Sequence, residues 1–225
     1  MSRPVRIEFP GATYYVTSKS RDEQVIFHDD EDRGSFLNML ENVVERFRWL
    51  VHSFVLLEHH YEMVVEVPNS NLSKGMRQLN GVYTQHFNRR HVQEGPIFHG
   101  RFKSVLFEKK SYLLPICRYV ATSPQRAVHP VNYSAYKWSS YRALAGIVRK
   151  PAFLHQIDIW NGLAKREKDA QRKYREYVKE GLYEESPLAA RKNQVLLGSP
   201  KFLNEMQPIL QGEKLSKRGP KAAKR

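Results

Sequence analysis

WLVHSFVLLEHHYEMVVEVP, residues 49–68, reads as a β-hairpin. Trp49–Leu57 and Tyr61–Val67 are rich in β-branched and aromatic residues, which suit a pleated, buried surface. Pro68 stops the second run, because proline cannot donate to a ladder. The turn falls at Glu58 and His59. What flanks this hairpin decides how it is used. Upstream, ATYYVTS at residues 12–18 is a strand, and Asp30 and Asp32 open a helix with acids in its first turn. Phe36, Leu37, Leu40, Val43, Val44 and Phe47 recur at helical spacing and give that helix one buried face. Downstream, Asn69–Asn71 form a loop and cap. A second amphipathic helix then carries Leu72, Met76, Leu79, Val82, Tyr83 and Phe87, with Gly81 weakening it slightly. GPIFHG at residues 95–100 is a turn-rich connector to a fourth strand, Phe102–Phe107.

The order β-α-β-β-α-β predicts the α+β class, with a ferredoxin-like antiparallel sheet and two helices on one face. A third helix over Tyr112–Ser123 has a buried stripe of Leu113, Ile116, Cys117 and Val120. It ends at Pro124 and is available for the opposite face. The hairpin therefore belongs to a first unit over residues 1–146, closed by a short helix in WSSYRALAG (138–146). Residues 147–212 are expected to be a helical C-terminal extension, with one polar, charged helix over 157–181 and a short one over 199–211. The basic tail, 213–225, is expected to be disordered.

The chain has 225 residues, a net charge of +14 and a pI near 9.8. Basic residues interleaved with aromatics favour a nucleic-acid partner over an anionic membrane surface, for which no strongly amphipathic helix stands out. Cys117 is the only cysteine, so no intrachain disulfide can form. No run of apolar residues is long enough to span a bilayer, and MSRPVRIEFPG lacks the apolar core of a secretory signal. A cytoplasmic protein is expected.

Alternation along the third strand points His60 and Glu62 the same way, about 7 Å apart at Cα. Imidazole plus carboxylate suits a divalent cation, with Mg²⁺ or Mn²⁺ favoured by the hard oxygen. Glu58 and His60 offer a second alternating pair, and spacing does not choose between the two or exclude a simple polar strand edge. Tyr119 lies beside the buried stripe of the third helix, with Ser123 one turn later on the same face. A phenol there either packs its ring and exposes its hydroxyl, or serves as a nucleophile assisted by a metal or base. Two basic clusters suit a phosphate backbone. One is Asn88–His91, with Arg89 and Arg90; the other is HGRFKS, where Arg101 and Lys103 share a strand face and Gly100 permits close approach. Arg118 and Arg126, near Tyr119, complete the candidate DNA contacts. P-loop, GxGxxG, CxxC and nucleophile-elbow motifs are missing.

Several ordered blocks resemble the REP-associated tyrosine transposases, within the single-tyrosine HUH transposases. They are RPVRIEFPGATYYVTSKS, IFHDDEDRGSFLNML, LNGVYTQHFNRRHVQEGPIFHGRFKSVLFEKKSYLL, CRYVATSPQRAV and YKWSSYRALAG, spanning about Pro4 to Gly146. LLGSPKFLNE resembles the family's C-terminal extension more loosely. The resemblance implies metal-dependent cleavage and strand transfer of hairpin-forming single-stranded DNA through a covalent 5′-phosphotyrosine. On it, Tyr119 in CRYVATSP matches the nucleophile and His60 the first histidine of the motif. Glu62 stands where the second histidine is expected, because MVVEVP aligns with the family strand. Ser123 stands where an amide-bearing residue completes the metal site, and it is a shorter, weaker donor. The implied ion is Mg²⁺ or Mn²⁺, and a monomer is expected over a homodimer. The alternative implied by the two departures is a protein that binds DNA hairpins with weakened or lost cleavage.

Overall fold

A computed structural model describes residues 7–127, 129–193 and 195–210; the basic tail expected over 213–225 lies outside them. The predicted hairpin is present as β2 (Leu50–Leu57) and β3 (His60–Val67), joined by Glu58 and His59. β1 (Ala12–Lys19) pairs antiparallel with β3, and β4 (Lys103–Phe107) pairs antiparallel with β1. β1 and β2 therefore run the same way with β3 between them, and β3 and β4 run the same way with β1 between them. Two interlocked split βαβ units make the four-stranded core, in the order β2-β3-β1-β4.

The connecting helices cover one face. α1 (Asp30–Phe47) starts at Asp29, whose carboxylate accepts from the N–H groups of Glu31 and Asp32, and ends at Arg48 in the left-handed region. α2 (Leu72–His91) follows Asn71. The side chain of Asn71 does not cap the helix. It accepts from Trp49 Nε1 at 2.8 Å and donates to the Phe47 carbonyl at 3.0 Å, tying α2 to the end of α1. Gly75 is needed here, because a Cβ would run into the Trp49 ring. Phe27, Phe36, Tyr83 and Tyr61 pack beneath these helices. The fully buried Tyr61 hydroxyl donates to Asn80 Oδ1 at 2.5 Å.

α3 (Lys109–Thr122) crosses the opposite face and buries Leu113, Ile116, Cys117 and Val120, the stripe read from the sequence. It starts three residues earlier than Tyr112. A 3-10 turn, Ser123–Arg126, follows it at Pro124. Beyond it lie α4 (Tyr141–Leu144), α5 (Ile157–Asn161), α6 (Glu167–Glu180) and α7 (Pro200–Leu210). The single helix expected over 157–181 is thus two helices. Gly162 ends the first in close contact with Leu114, and the chain re-enters helix from an extended Arg166. α6 is amphipathic, but its apolar face, Ala170, Tyr174 and Val178, is buried. The sheet is not purely antiparallel either. β5 (Leu196–Leu197) pairs parallel with Leu106–Phe107, so the extension supplies an edge strand as well as helices. Among the described residues no helix is long and apolar enough to cross a membrane.

Candidate functional site

The site is built on the α3 face of the sheet. The β1–β3 register sets Thr17 beside Glu62, Tyr15 beside Val64 and Lys19 beside His60. The β1–β4 register adds Lys103 beside Thr17. Paired residues share a face, so His60, Glu62, Tyr15, Thr17, Lys19 and Lys103 all look toward α3. His60 and Glu62 do point the same way: Nε2 and Oε1 are 3.5 Å apart, with the carboxylate buried and the imidazole partly exposed. The competing pair is not formed. His59 sits in the turn, where Nδ1 meets the Gln24 carbonyl at 3.2 Å, and Glu58 approaches His59 rather than His60.

The C-terminal end of α3 delivers two further groups to the same place. Ser123 donates to Glu62 Oε2 at 2.6 Å. Tyr119 lies edge-on to Tyr15, ring centroids 6.2 Å apart. Burial pushes the Tyr15 hydroxyl well above the usual phenol range, and the Glu62 charge and hydrogen bond push it further, so Tyr15 stays protonated as a donor to Glu62. Arg126 closes the group. Its guanidinium carbon stands 4.0 Å from the centre of the Tyr119 ring, and its nitrogens donate to the Tyr119 carbonyl at 2.6 Å and to Ser123 Oγ at 2.8 Å. Tyr119, Ser123, Glu62 and His60 therefore form one continuous cluster, with Tyr15 and Arg126 holding its members.

A groove of about 770 Å³ opens beside this cluster along the unpaired part of β4. Tyr15 and Thr17 lie in its lining, and Lys19, Arg101, Lys103 and Arg191 supply its charge, with no acid among the lining residues. Thr17 Oγ1 is buried there without a hydrogen-bond partner. Gly100, at φ +64°, makes the turn that brings Arg101 and Lys103 to the rim, while Phe102 turns inward. A second hollow of about 400 Å³ shares Lys19 and reaches His60, His59 and His129.

The remaining predicted arginines stand elsewhere. Arg90 is engaged by Asp29 Oδ2 at 2.6 Å, Glu31 Oε2 at 2.9 Å and Asp32 Oδ1 at 2.5 Å. It clamps the end of α2 to the start of α1 and is not presented to a ligand. Arg118 pairs with Glu184 and stacks 4.3 Å from the centre of the Tyr177 ring, fastening α3 to the extension. Arg89 is exposed at the end of α2, outside the groove lining. Lys19 and Arg191 went unnoticed in the sequence: the first is the last residue of a strand, and the second lies in an extension with no pattern linking it to β4. The role of Tyr15 was hidden because only the strand register brings it under Tyr119.

The fold is that of a transposase domain. Residues 12–123 match the family described as Transposase IS200 like, and that segment of the chain belongs to the family. A solved structure of a REP-associated tyrosine transposase bound to a REP hairpin superimposes with a TM-score of 0.56 at 15% identity, covering 68% of this chain and 90% of the other. No curated protein sequence matches the chain.

Proposed function

We propose that the protein cleaves and rejoins hairpin-forming single-stranded DNA, with Tyr119 as nucleophile. The observation that carries this reading is the joining of Tyr119, Ser123, Glu62 and His60 into one cluster beside an acid-free basic groove. Tyr119 Oη forms a bond to the scissile phosphorus, the 3′-oxygen leaves, and the phenol's proton is balanced by protonation of the new 3′-hydroxyl. The 5′-phosphotyrosine keeps the bond energy for the return attack, so no nucleotide is consumed.

The donor set fits Mg²⁺ or Mn²⁺. His60 Nε2 and Glu62 Oε1 are adjacent, on one face and open toward the hollow on the His60 side, and a hard cation with few protein ligands completes its shell with water and phosphate oxygens. Such an ion would polarise the scissile phosphate and offset developing charge. Ser123 supports the site from behind, by fixing the second oxygen of Glu62, rather than as a third ligand. Arg126 sets the pitch of the Tyr119 ring. Lys19, Arg101, Lys103 and Arg191 hold the phosphates that flank the cut.

The test is incubation with hairpin DNA carrying a single-stranded flank, in Mn²⁺. A covalent protein–DNA adduct is expected, lost in Tyr119→Phe and in His60→Ala. A second reading, hairpin binding without cleavage, draws on the enclosure of Glu62 by Ser123 and Tyr15. Tight binding with no adduct, across varied hairpins and metals, would establish that reading and sink the first.

A further inference from the structure

A second cluster of metal-binding type lies at the other end of the sheet. β2 carries a bulge between Val51 and Ser53, and the extra residue is His52. A bulge re-aims its side chain, and here the imidazole is fully buried against β3 and the extension. His52 Nε2 lies 3.3 Å from Glu66 Oε2. The carboxylate is an acceptor, so Nε2 donates to it and Nδ1 is the nitrogen left for a further partner. That Nδ1 has no hydrogen-bond partner. It faces Asp158 Oδ2 at 4.0 Å, too far for a hydrogen bond.

The other two groups converge on the same point. His155 Nε2 lies 3.0 Å from Asp158 Oδ2, and its ring stands edge-on to that of His52, centroids 5.3 Å apart. The His155 backbone is fixed, because its N–H donates to the Val51 carbonyl at 2.8 Å. Lys109 reaches Glu66 Oε2 at 2.5 Å and Asp158 Oδ2 at 3.0 Å, but leaves the His52 nitrogen unpartnered. Two carboxylates against one ammonium leave a negative charge beside the two imidazoles.

We propose that His52 Nδ1, His155 Nε2 and Asp158 form a second metal site, of the type that takes Zn²⁺. One donor atom from each residue lies within 4.8 Å of the others. Ligands around tetrahedral zinc stand about 3.4 Å apart, so closure by roughly 1 Å completes the set. Two imidazoles and one carboxylate favour zinc over Mg²⁺. Glu66 behind His52 is the carboxylate that orients a zinc-bound histidine and raises its basicity. On metal entry Lys109 stays with Glu66 and yields Asp158, and the proton that His155 Nε2 shares with Asp158 is released or moves to Nδ1 so that Nε2 can ligate. The ion would staple the extension to β2 at the point where Lys109 begins the tyrosine-bearing helix.

The experiment uses the chelator-stripped full chain carrying His60→Ala, so that it is independent of the DNA-processing reading. Titration with Co²⁺ is expected to give the intense visible bands of a tetrahedral site at one equivalent per chain. Adding His155→Gln or Asp158→Asn should abolish them. Zn²⁺ should raise the unfolding temperature of the His60→Ala chain and leave the double variants unmoved. Circular dichroism of the metal-free proteins verifies that all three are folded. Absence of tetrahedral bands in the His60→Ala chain, or their persistence in either double variant, overturns the proposal.

Discussion

Ser123 donates a hydrogen bond to Glu62 Oε2. In the proposed reaction it organises the carboxylate instead of reaching an ion. Glu62→Gln keeps the shape and removes the charge; we expect Mn²⁺-dependent adduct formation to fall at least about a hundredfold, as for loss of a group stabilising transition-state charge, measured by adduct yield against time. Arg126→Ala should leave the hairpin cut but slow it about tenfold, because Tyr119 loses its ring contact and the constraint on its carbonyl. Adduct rate at saturating DNA isolates this from any loss of binding. The basic residues also separate by partner. Lys103→Ala is expected to weaken hairpin binding and reduce the salt slope by about 1. Arg90→Ala should leave both unchanged while lowering stability, since it removes one of the three donors to the buried Asp32 carboxylate. Denaturant titration beside binding isotherms distinguishes the two.

At the scale of elements, the helices are fastened at their ends. Asp32 holds the start of α1 to the end of α2, accepting from the His28 N–H, from Arg90 and from His91. Burial alone would raise its pKa, but those three donors outweigh burial and lower it. A depressed carboxylate stabilises the fold above its unfolded value, about 3.9, and that stability is lost as pH falls through the folded value. Asp32→Asn should therefore lose stability at neutral pH and show a flatter decline on acidification, measured by thermal unfolding from pH 7 to about 3. The hairpin, the order of the four core strands and the buried stripe of α3 were legible in the sequence, because alternation and helical spacing are local signals. Alternation left two pairs open, Glu58 with His60 and His60 with Glu62; the family resemblance chose the second, and the hairpin turn places Glu58 against His59 instead. Tyr15, Lys19 and Arg191 were not, because a residue enters this site through strand register or through a distant segment of the chain. The break between α5 and α6 escaped because a lone glycine is a weak stop signal inside a polar stretch; Gly162 lies where a Cβ would press on Leu114.

Across the whole molecule, the extension behaves as a cover for α3. Tyr174 and Tyr177 on α6 lie against the buried Cys117, whose thiol burial holds well above its usual range. In the full chain Cys117 should resist thiol reagents until the protein unfolds. In a chain ending at Gly146 it should react within the mixing time, as followed by thiol-exchange absorbance; equal protection in both would show that α6 does not shield it. β5 carries a different consequence, one of timing. Leu196–Leu197 seals the edge of β4 at Leu106–Phe107, yet the ribosome makes that seal last. At about 10 residues per second, the edge waits on the order of ten seconds with its backbone groups unpaired. Nascent chains stalled before Leu196 should therefore recruit chaperones, and those stalled after the seal has emerged should release them.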